Sequence, residues 1–348
     1  MPNPAEQLEG MSLEDGWVVG APIPRNPQAT GGNFCQCYAA YSRSGKKAFL
    51  KALDFRYAFN NSASLTEILE RITTLFNFER DLLEECGRRN MDRVVKAIGS
   101  GTANVDPENP FALVPYLIFE AADADIRVHL DDPSFAPSLA WKLRAMHHVA
   151  TGIKQLHGAD IVHQDLKPSN VLVFYTNRLL SISKVADLGR AFRSGYPSPY
   201  DEQLWAGDRN YAPPEVLYSF VDPDWAKRRI ACDLYMLGGL LSFLFTQTTS
   251  IATLLHSLPL QFWPGNWAGT YDDVLPYLSN AFSVSIGGFA EALPTKLRQD
   301  LVPVFDQLCH PDPRKRGFPG VAMNRNALEK YLSKFDLIAA RAAAGRYQ

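Results

Sequence analysis

A chain of 348 residues, 46% hydrophobic and 21% charged, has the apolar content for a substantial core and the length for two lobes or domains, which excludes disorder by composition. Its formal net charge of −2 gives no general attraction to nucleic acid or to an anionic membrane, and neither is expected as a partner. Five cysteines (Cys35, Cys37, Cys86, Cys232 and Cys309), odd in number and without C-x-x-C spacing, argue against a disulfide framework or structural zinc and fit a reducing, cytoplasmic setting.

Met1 to Gly10 has no basic region leading into an apolar stretch, so no signal peptide is expected. The longest apolar run, Leu234 to Phe245, is about two-thirds of a bilayer span and reads as a buried helix. Asn60-Asn61-Ser62 matches a glycosylation sequon, a triplet that often arises by chance.

Along the chain, Trp17-Val18-Val19 predicts a first strand, after which Pro22, Pro24 and Pro27 keep the backbone extended. Tyr38 to Tyr41 and Ala48 to Leu53 predict two strands joined by the turn Ser44-Gly45-Lys46. Gly31 and Gly32 precede them, and a glycine-rich tight end can bring backbone N–H groups close to phosphates. Lys51 stands within the otherwise apolar return strand, where a cation needs an anionic partner. Leu65, Ile68, Leu69, Ile72, Leu75, Phe76, Leu82, Leu83 and Cys86 recur at three- and four-residue steps and mark one helical face. Glu79 falls on that face, whereas Glu67, Glu70, Glu84 and Glu85 fall off it. A carboxylate inside an apolar stripe is expensive unless paired, and Lys51 is the matching charge.

Two more strands are predicted at Val94 to Ile98 and Tyr116 to Phe119, joined by a loop from Gly99 to Pro110. From Ser138 the helical period returns at Leu139, Leu143, Met146, Ala150, Ile153 and Leu156, and stops at His157-Gly158. A polar loop, His163 to Asn170, then lies between the apolar Ile161-Val162 and Val171 to Phe174. In it Asp165 offers a carboxylate to accept a proton from an attacking hydroxyl, Lys167 a cation to hold a phosphate, and Asn170 a neutral oxygen suited to a hard metal such as Mg²⁺. Asp187-Leu188-Gly189 follows a second apolar run and supplies another carboxylate for metal.

The two loops, in this order and at this separation, resemble the catalytic loop (H-R-D-x-x-x-x-N) and the D-F-G loop of protein kinases. Gly207 to Glu215 resembles the end of a kinase activation segment, Asp233 the aspartate that holds the catalytic-loop backbone, and Arg316 the arginine that pairs with the A-P-E glutamate, here Glu215. The resemblance runs from about residue 20 to 320. On it the chain is identified as a member of the eukaryotic-like (Hanks-type) serine/threonine protein kinase family, with a stand-alone bacterial member expected. The resemblance implies an α+β, bilobal fold. A small β-rich N-lobe with one long helix would span 15–120, a larger mainly helical C-lobe 121–335, and an Ala-rich helical tail 336–348. It implies ATP and Mg²⁺ as cofactors and a protein substrate with a serine or threonine acceptor. Asp165 would position and deprotonate the hydroxyl and Lys167 steady the phosphoryl group, while Asn170 and Asp187 hold Mg²⁺. Lys51, locked by Glu79, would hold the α- and β-phosphates under the loop of Gly31 and Gly32, with adenine on the backbone of Glu120 and Ala122.

The chain departs from the family pattern at several positions. Thr30 and Cys35 replace glycines, Phe49 stands where alanine usually roofs the adenine, and Leu188 replaces the phenylalanine of D-F-G. Asp208 replaces a threonine, and a second carboxylate there would repel Asp165 unless Lys167 or Mg²⁺ lies between them. Gln164 replaces the arginine that in many kinases clamps an activation-segment phosphate, so the segment must be ordered in some other way. Two further readings remain at this level, a pseudokinase acting as a binding module and a small-molecule kinase.

Overall fold

The structure is a computed structural model, and it describes residues 3–14, 16–24, 35–55, 64–109, 112–176 and 180–347. Thr30, Gly31, Gly32 and the Asn60 sequon lie outside these. The chain divides into two units, Met1–Asp123 and Ala124–Gln348.

The first unit is a five-stranded antiparallel sheet in the order β1-β2-β3-β5-β4, plus one long helix. Its strands are β1 (Trp17–Pro22), β2 (Cys35–Ser42), β3 (Lys47–Leu53), β4 (Ala97–Asn104) and β5 (Leu113–Glu120). Alternation along β2 and β3 buries Tyr38, Ala40, Ala48, Leu50 and Ala52, which pack with Trp17, Val19, Tyr116 and Ile118. Ala5, Leu8 and Leu13 close this core, and the Tyr38 hydroxyl donates to the Ala5 carbonyl at 2.7 Å. The polar composition of the first residues hid that contribution.

The helix α1 (Leu65–Arg88) buries Ile72, Phe76, Leu82, Leu83 and Cys86 on the predicted face. Glu85, expected off that face, is buried too, and Arg88 and Arg89 at the helix end pair with it. The strand expected at Val94 to Ile98 starts later, at Ala97, and runs on through the predicted loop to Asn104. Its glycines are strand residues here. At Gly101 an added Cβ would meet the Tyr116 hydroxyl oxygen at 2.5 Å, and the two residues are direct cross-strand partners.

The second unit is mainly helical. After the short β6 (Ala124–Asp125) come α2 (Ile126–Asp131) and α3 (Leu139–His157), the latter capped by Ser138, whose hydroxyl accepts the Trp141 N–H at 3.2 Å. Short strands β7 (Ile161–Val162), β8 (Val171–Tyr175), β9 (Ser181–Val185) and β10 (Phe192–Arg193) form two small sheets, β6-β8-β9 and β7-β10. The catalytic-loop residues thus hang between β7 and β8, as the flanking apolar runs predicted.

Next come α4 (Pro214–Leu217), α5 (Trp225–Thr246), α6 (Ser250–His256), α7 (Tyr271–Ala292), α8 (Thr295–Cys309) and α9 (Glu329–Ala343). By length and composition α5 could cross a membrane, but it is largely buried within the unit, with Leu234, Leu237, Leu240 and Leu241 in the core. The last helix, α9, runs unbroken through residue 336, where the sequence sets the start of a tail. Its Tyr331, Phe335, Ile338 and Ala339 are buried and it lies along α3, so its apolar face belongs to the second unit's core.

Candidate active site

In the first unit, β3 carries Lys51 opposite Cys37 of β2 and Leu117 of β5, and α1 presents Glu79, only 5% exposed. The Lys51 ammonium donates to both Glu79 oxygens, at 2.9 and 2.8 Å. Burial rules out a Glu79 that merely reaches water, and the two charges explain each other. Phe49 lies opposite Phe119 with ring centroids 6.3 Å apart, so the bulk that replaces alanine is packed on a neighbouring strand. The Glu120 carboxylate accepts the Lys96 N–H at 2.9 Å and is engaged with the approach to β4. The backbone of Ala122 makes no hydrogen bond to another backbone group among the described residues.

Replacing Lys51 by methionine is expected to weaken nucleotide binding by about tenfold or more, since a charge-assisted contact is lost, and to lower stability by removing the ammonium that balances Glu79. Titration of a fluorescent nucleotide together with thermal unfolding checks both. Unchanged binding would overturn the assignment of Lys51.

In the second unit the catalytic loop is held from below by a buried carboxylate. Asp233, on α5, accepts the backbone N–H groups of His163 and Gln164 at 2.9 Å each and the Nε2–H of His157 at 2.9 Å. Burial alone would raise the Asp233 acid, but the His157 hydrogen bond, the two imidazoles and the Gln164 N–H around it outweigh that and hold it below the usual range. Gln164 takes a left-handed backbone, φ 61°, which turns the chain so that Asp165 projects from the loop. The buried His163 ring joins the two loops. Its Nδ1 accepts the Asp165 N–H at 3.2 Å and its Nε2–H donates to the Ala186 carbonyl at 3.0 Å, next to Asp187.

Around Asp165 the polar groups are brought together. The Asn170 amide donates to the Asp165 carbonyl at 2.8 Å and to its Oδ2 at 3.1 Å. Lys167 Nζ stands 3.3 Å from Asp165 Oδ2 and 3.3 Å from Asp208 Oδ2. The cation therefore lies between the two carboxylates, which removes the repulsion that Asp208 threatened. The Asp208 N–H also donates to Asp165 Oδ1 at 2.7 Å. That contact depends on Gly207, where an added Cβ would fall 2.2 Å from the Gln164 carbonyl oxygen. Burial raises the Asp165 acid above the ordinary aspartate range, Lys167 pulls it back, and the Asp187 charge raises it again.

Asp187 has a left-handed backbone, φ 63°, and the N–H of Ala186 before it donates to the Asn170 carbonyl at 2.9 Å. Asn170 spends its NH₂ on Asp165, so of its amide only Oδ1 could serve as a metal ligand. This oxygen and the Asp187 carboxylate suit magnesium, which takes few protein ligands and completes its octahedron with water and phosphate oxygens. Among the described residues no group of three His, Cys, Asp or Glu side chains is arranged for a metal, so a self-sufficient transition-metal site is not what this donor set offers.

Residues 31–317 match a family model described as the protein kinase domain. The chain belongs to the protein kinase family. Similar curated proteins are cyclin-dependent kinase B1-1 of Arabidopsis thaliana, 31% identical over 166 residues (43% of this chain and 51% of that protein), and cell division control protein 2 homolog D of Antirrhinum majus, 30% identical over 172 residues (44% and 51%). Cyclin-dependent kinase B2-1 of Oryza sativa subsp. japonica is 31% identical over 176 residues (44% and 50%). The chain spans about half the length of the curated relatives it matches.

The far end of the kinase activation segment is anchored as the family resemblance implied. Arg316 makes a bidentate pair with Glu215, Nη1 to Oε1 at 2.7 Å and Nη2 to Oε2 at 2.8 Å, both side chains being buried. Its other donors reach the carbonyls of Ala231 and His310, so the cation is fully satisfied. The binding roles given to Gly31 and Gly32 fall outside the described residues. Sequence reasoning missed the two histidines. His157 ends a helix and His163 opens a loop, and nothing local marks either as a hydrogen-bond bridge.

Proposed function

We propose that this chain transfers the γ-phosphoryl of ATP to serine or threonine hydroxyls of protein substrates in the cytoplasm, and that it does so without a phosphate on its activation segment. The observation that carries this reading is the single hydrogen-bonded group of Asp165, Lys167, Asn170 and Asp208, in which one cation balances two carboxylates beside the acceptor position. Asp165 accepts the hydroxyl proton, and Lys167, 3.3 Å away, steadies the incoming phosphoryl oxygens. Asn170 and Asp187 hold the metal, and Lys51, oriented by Glu79, binds nucleotide phosphates. Magnesium, when bound, neutralises phosphate charge. The lysine two residues after Asp165 supports a serine or threonine acceptor.

Independence from phosphate is supported by what already holds the segment. The Arg190 guanidinium lies 4.8 Å from the Tyr200 ring centroid and that of Arg193 6.0 Å from the Tyr196 centroid. The β10–β7 pairing and the Ser194 N–H to the Asp160 carbonyl, at 2.9 Å, fix the segment's beginning. Joint replacement of Ser194 and Ser198 by Ala and of Tyr196 and Tyr200 by Phe is expected to leave peptide phosphorylation within about threefold of wild type, because the rings that meet Arg190 and Arg193 are kept. A collapse of activity that acidic residues restore would mean the segment does need an anion.

A further inference from the structure

The geometry points to Arg229 as the positioning residue that couples the activation segment to the catalytic loop where no phosphate does so. This rests on the reading just given. Arg229 lies near the start of α5, one helical turn before Asp233, and is only 3% exposed. Its Nη1 donates to Gln164 Oε1 at 3.3 Å, and the Gln164 amide donates back to the Arg229 carbonyl at 2.8 Å and to Asp233 Oδ1 at 2.9 Å. Its guanidinium lies 3.7 Å from the centroid of the Phe192 ring. Phe192 in turn is paired with Val162, the residue before His163. One side chain thus touches the residue before Asp165 and the strand that begins the activation segment.

What makes this more than packing is the charge. Among the described residues no carboxylate forms an ion pair with Arg229, and its Nε is buried with no hydrogen-bond partner. Burial, the largest influence, lowers its pKa to about 10, so it still carries its proton at neutral pH. A buried cation held by a neutral amide oxygen and a ring face costs stability that an apolar residue of like volume would not. Such a cost is tolerated where the group is needed, and here the planar guanidinium serves two surfaces at once, donating in its plane and stacking through its face. Lysine has no flat face to stack. Gln164, which cannot clamp a phosphate itself, becomes the acceptor for an arginine supplied from the helix beneath.

The test compares the purified full chain with Arg229→Met, Arg229→Lys, Arg229→Gln and the exchange Gln164→Arg/Arg229→Gln. Amide hydrogen exchange over 190–200, kcat, KM for ATP and Tm are read for each. Loss of Arg229 is expected to speed exchange in 190–200 while α7 stays protected. It should also lower kcat about tenfold or more, as for a lost charge-assisted contact, with KM for ATP within about twofold. Arg229→Lys should fall between, and the exchange variant should recover most of what Arg229→Gln alone loses, because the arginine–glutamine bond is remade with its ends reversed. A merely structural role would lower Tm and leave kcat per folded molecule and exchange in the segment as in wild type. That result, or additive losses in the exchange variant, would overturn the proposal. If Arg229→Met does not fold, Arg229→Lys decides, wild-type exchange and kcat counting against it. Absence of transfer in the wild type would count against the proposed function alone, since the exchange measurement needs no activity.

Discussion

Asp165→Asn is expected to lower phosphoryl transfer by roughly 10²–10⁴, the usual worth of a positioned general base, with nucleotide binding almost intact. The asparagine oxygen can still accept the Asp208 N–H, but its NH₂ would face the Asn170 amide and the Lys167 ammonium, both donors. Base and local alignment are therefore lost together. Asp187→Asn should behave differently, weakening Mg²⁺-dependent nucleotide binding because a charged ligand is gone. Steady-state transfer measured beside nucleotide titration with and without Mg²⁺ separates the two. Parallel losses of the same kind in both variants would contradict the assignment.

The same carboxylate sets the expected pH dependence. Burial raises the Asp165 acid above its ordinary value of 3.8, with Lys167 opposing and Asp187 reinforcing the rise. The reaction uses the deprotonated form, so kcat should fall as pH drops through this raised value, earlier than for a solvated aspartate. Removing the opposing cation in Lys167→Met should move that acid limb further up the pH scale.

Arg316→Met carries the largest expected effect on stability, about 3–5 kcal/mol, the usual cost of removing one partner from a buried ion pair. Glu215 would stay buried beneath the activation segment without its bidentate partner, and the carbonyls of Ala231 and His310 would lose their donor. Chemical denaturation followed by circular dichroism measures the change. The double variant Arg316→Met/Glu215→Gln should be less damaged than Arg316→Met alone, since no orphaned charge is left.

How much of this was legible in the sequence depended on where the constraint lies. Lys51 and Glu79 could be paired because each is a charge set in an apolar pattern, one of period two and one of period 3.6. The same rule misjudged Glu85, whose burial depends on arginines at the helix end rather than on its own face. Gly99 and Gly101 look like loop in the sequence because a glycine carries no face to alternate, while the reason for Gly101 is the Tyr116 ring on the next strand. Ala5, Leu8 and Leu13 are too thinly spread among polar residues to signal a core segment. Asp233 and Arg316 were legible only through the family resemblance. Arg229, inside Ala226-Lys227-Arg228-Arg229, looks like the solvated start of a helix, and its burial is set by Gln164 and Phe192, distant in the chain. Local charge conflicts reach the surface of a sequence, whereas contacts made by long-range packing do not.

The most direct measurement is transfer of labelled phosphate from ATP by the phosphatase-treated full chain to generic protein acceptors, with phosphoamino-acid analysis of the product. The expected result is Mg²⁺-dependent phosphoserine or phosphothreonine, lost in Asp165→Asn and in Asp187→Asn. No transfer above the Asp165→Asn background, or phosphotyrosine as the sole product, would contradict the account.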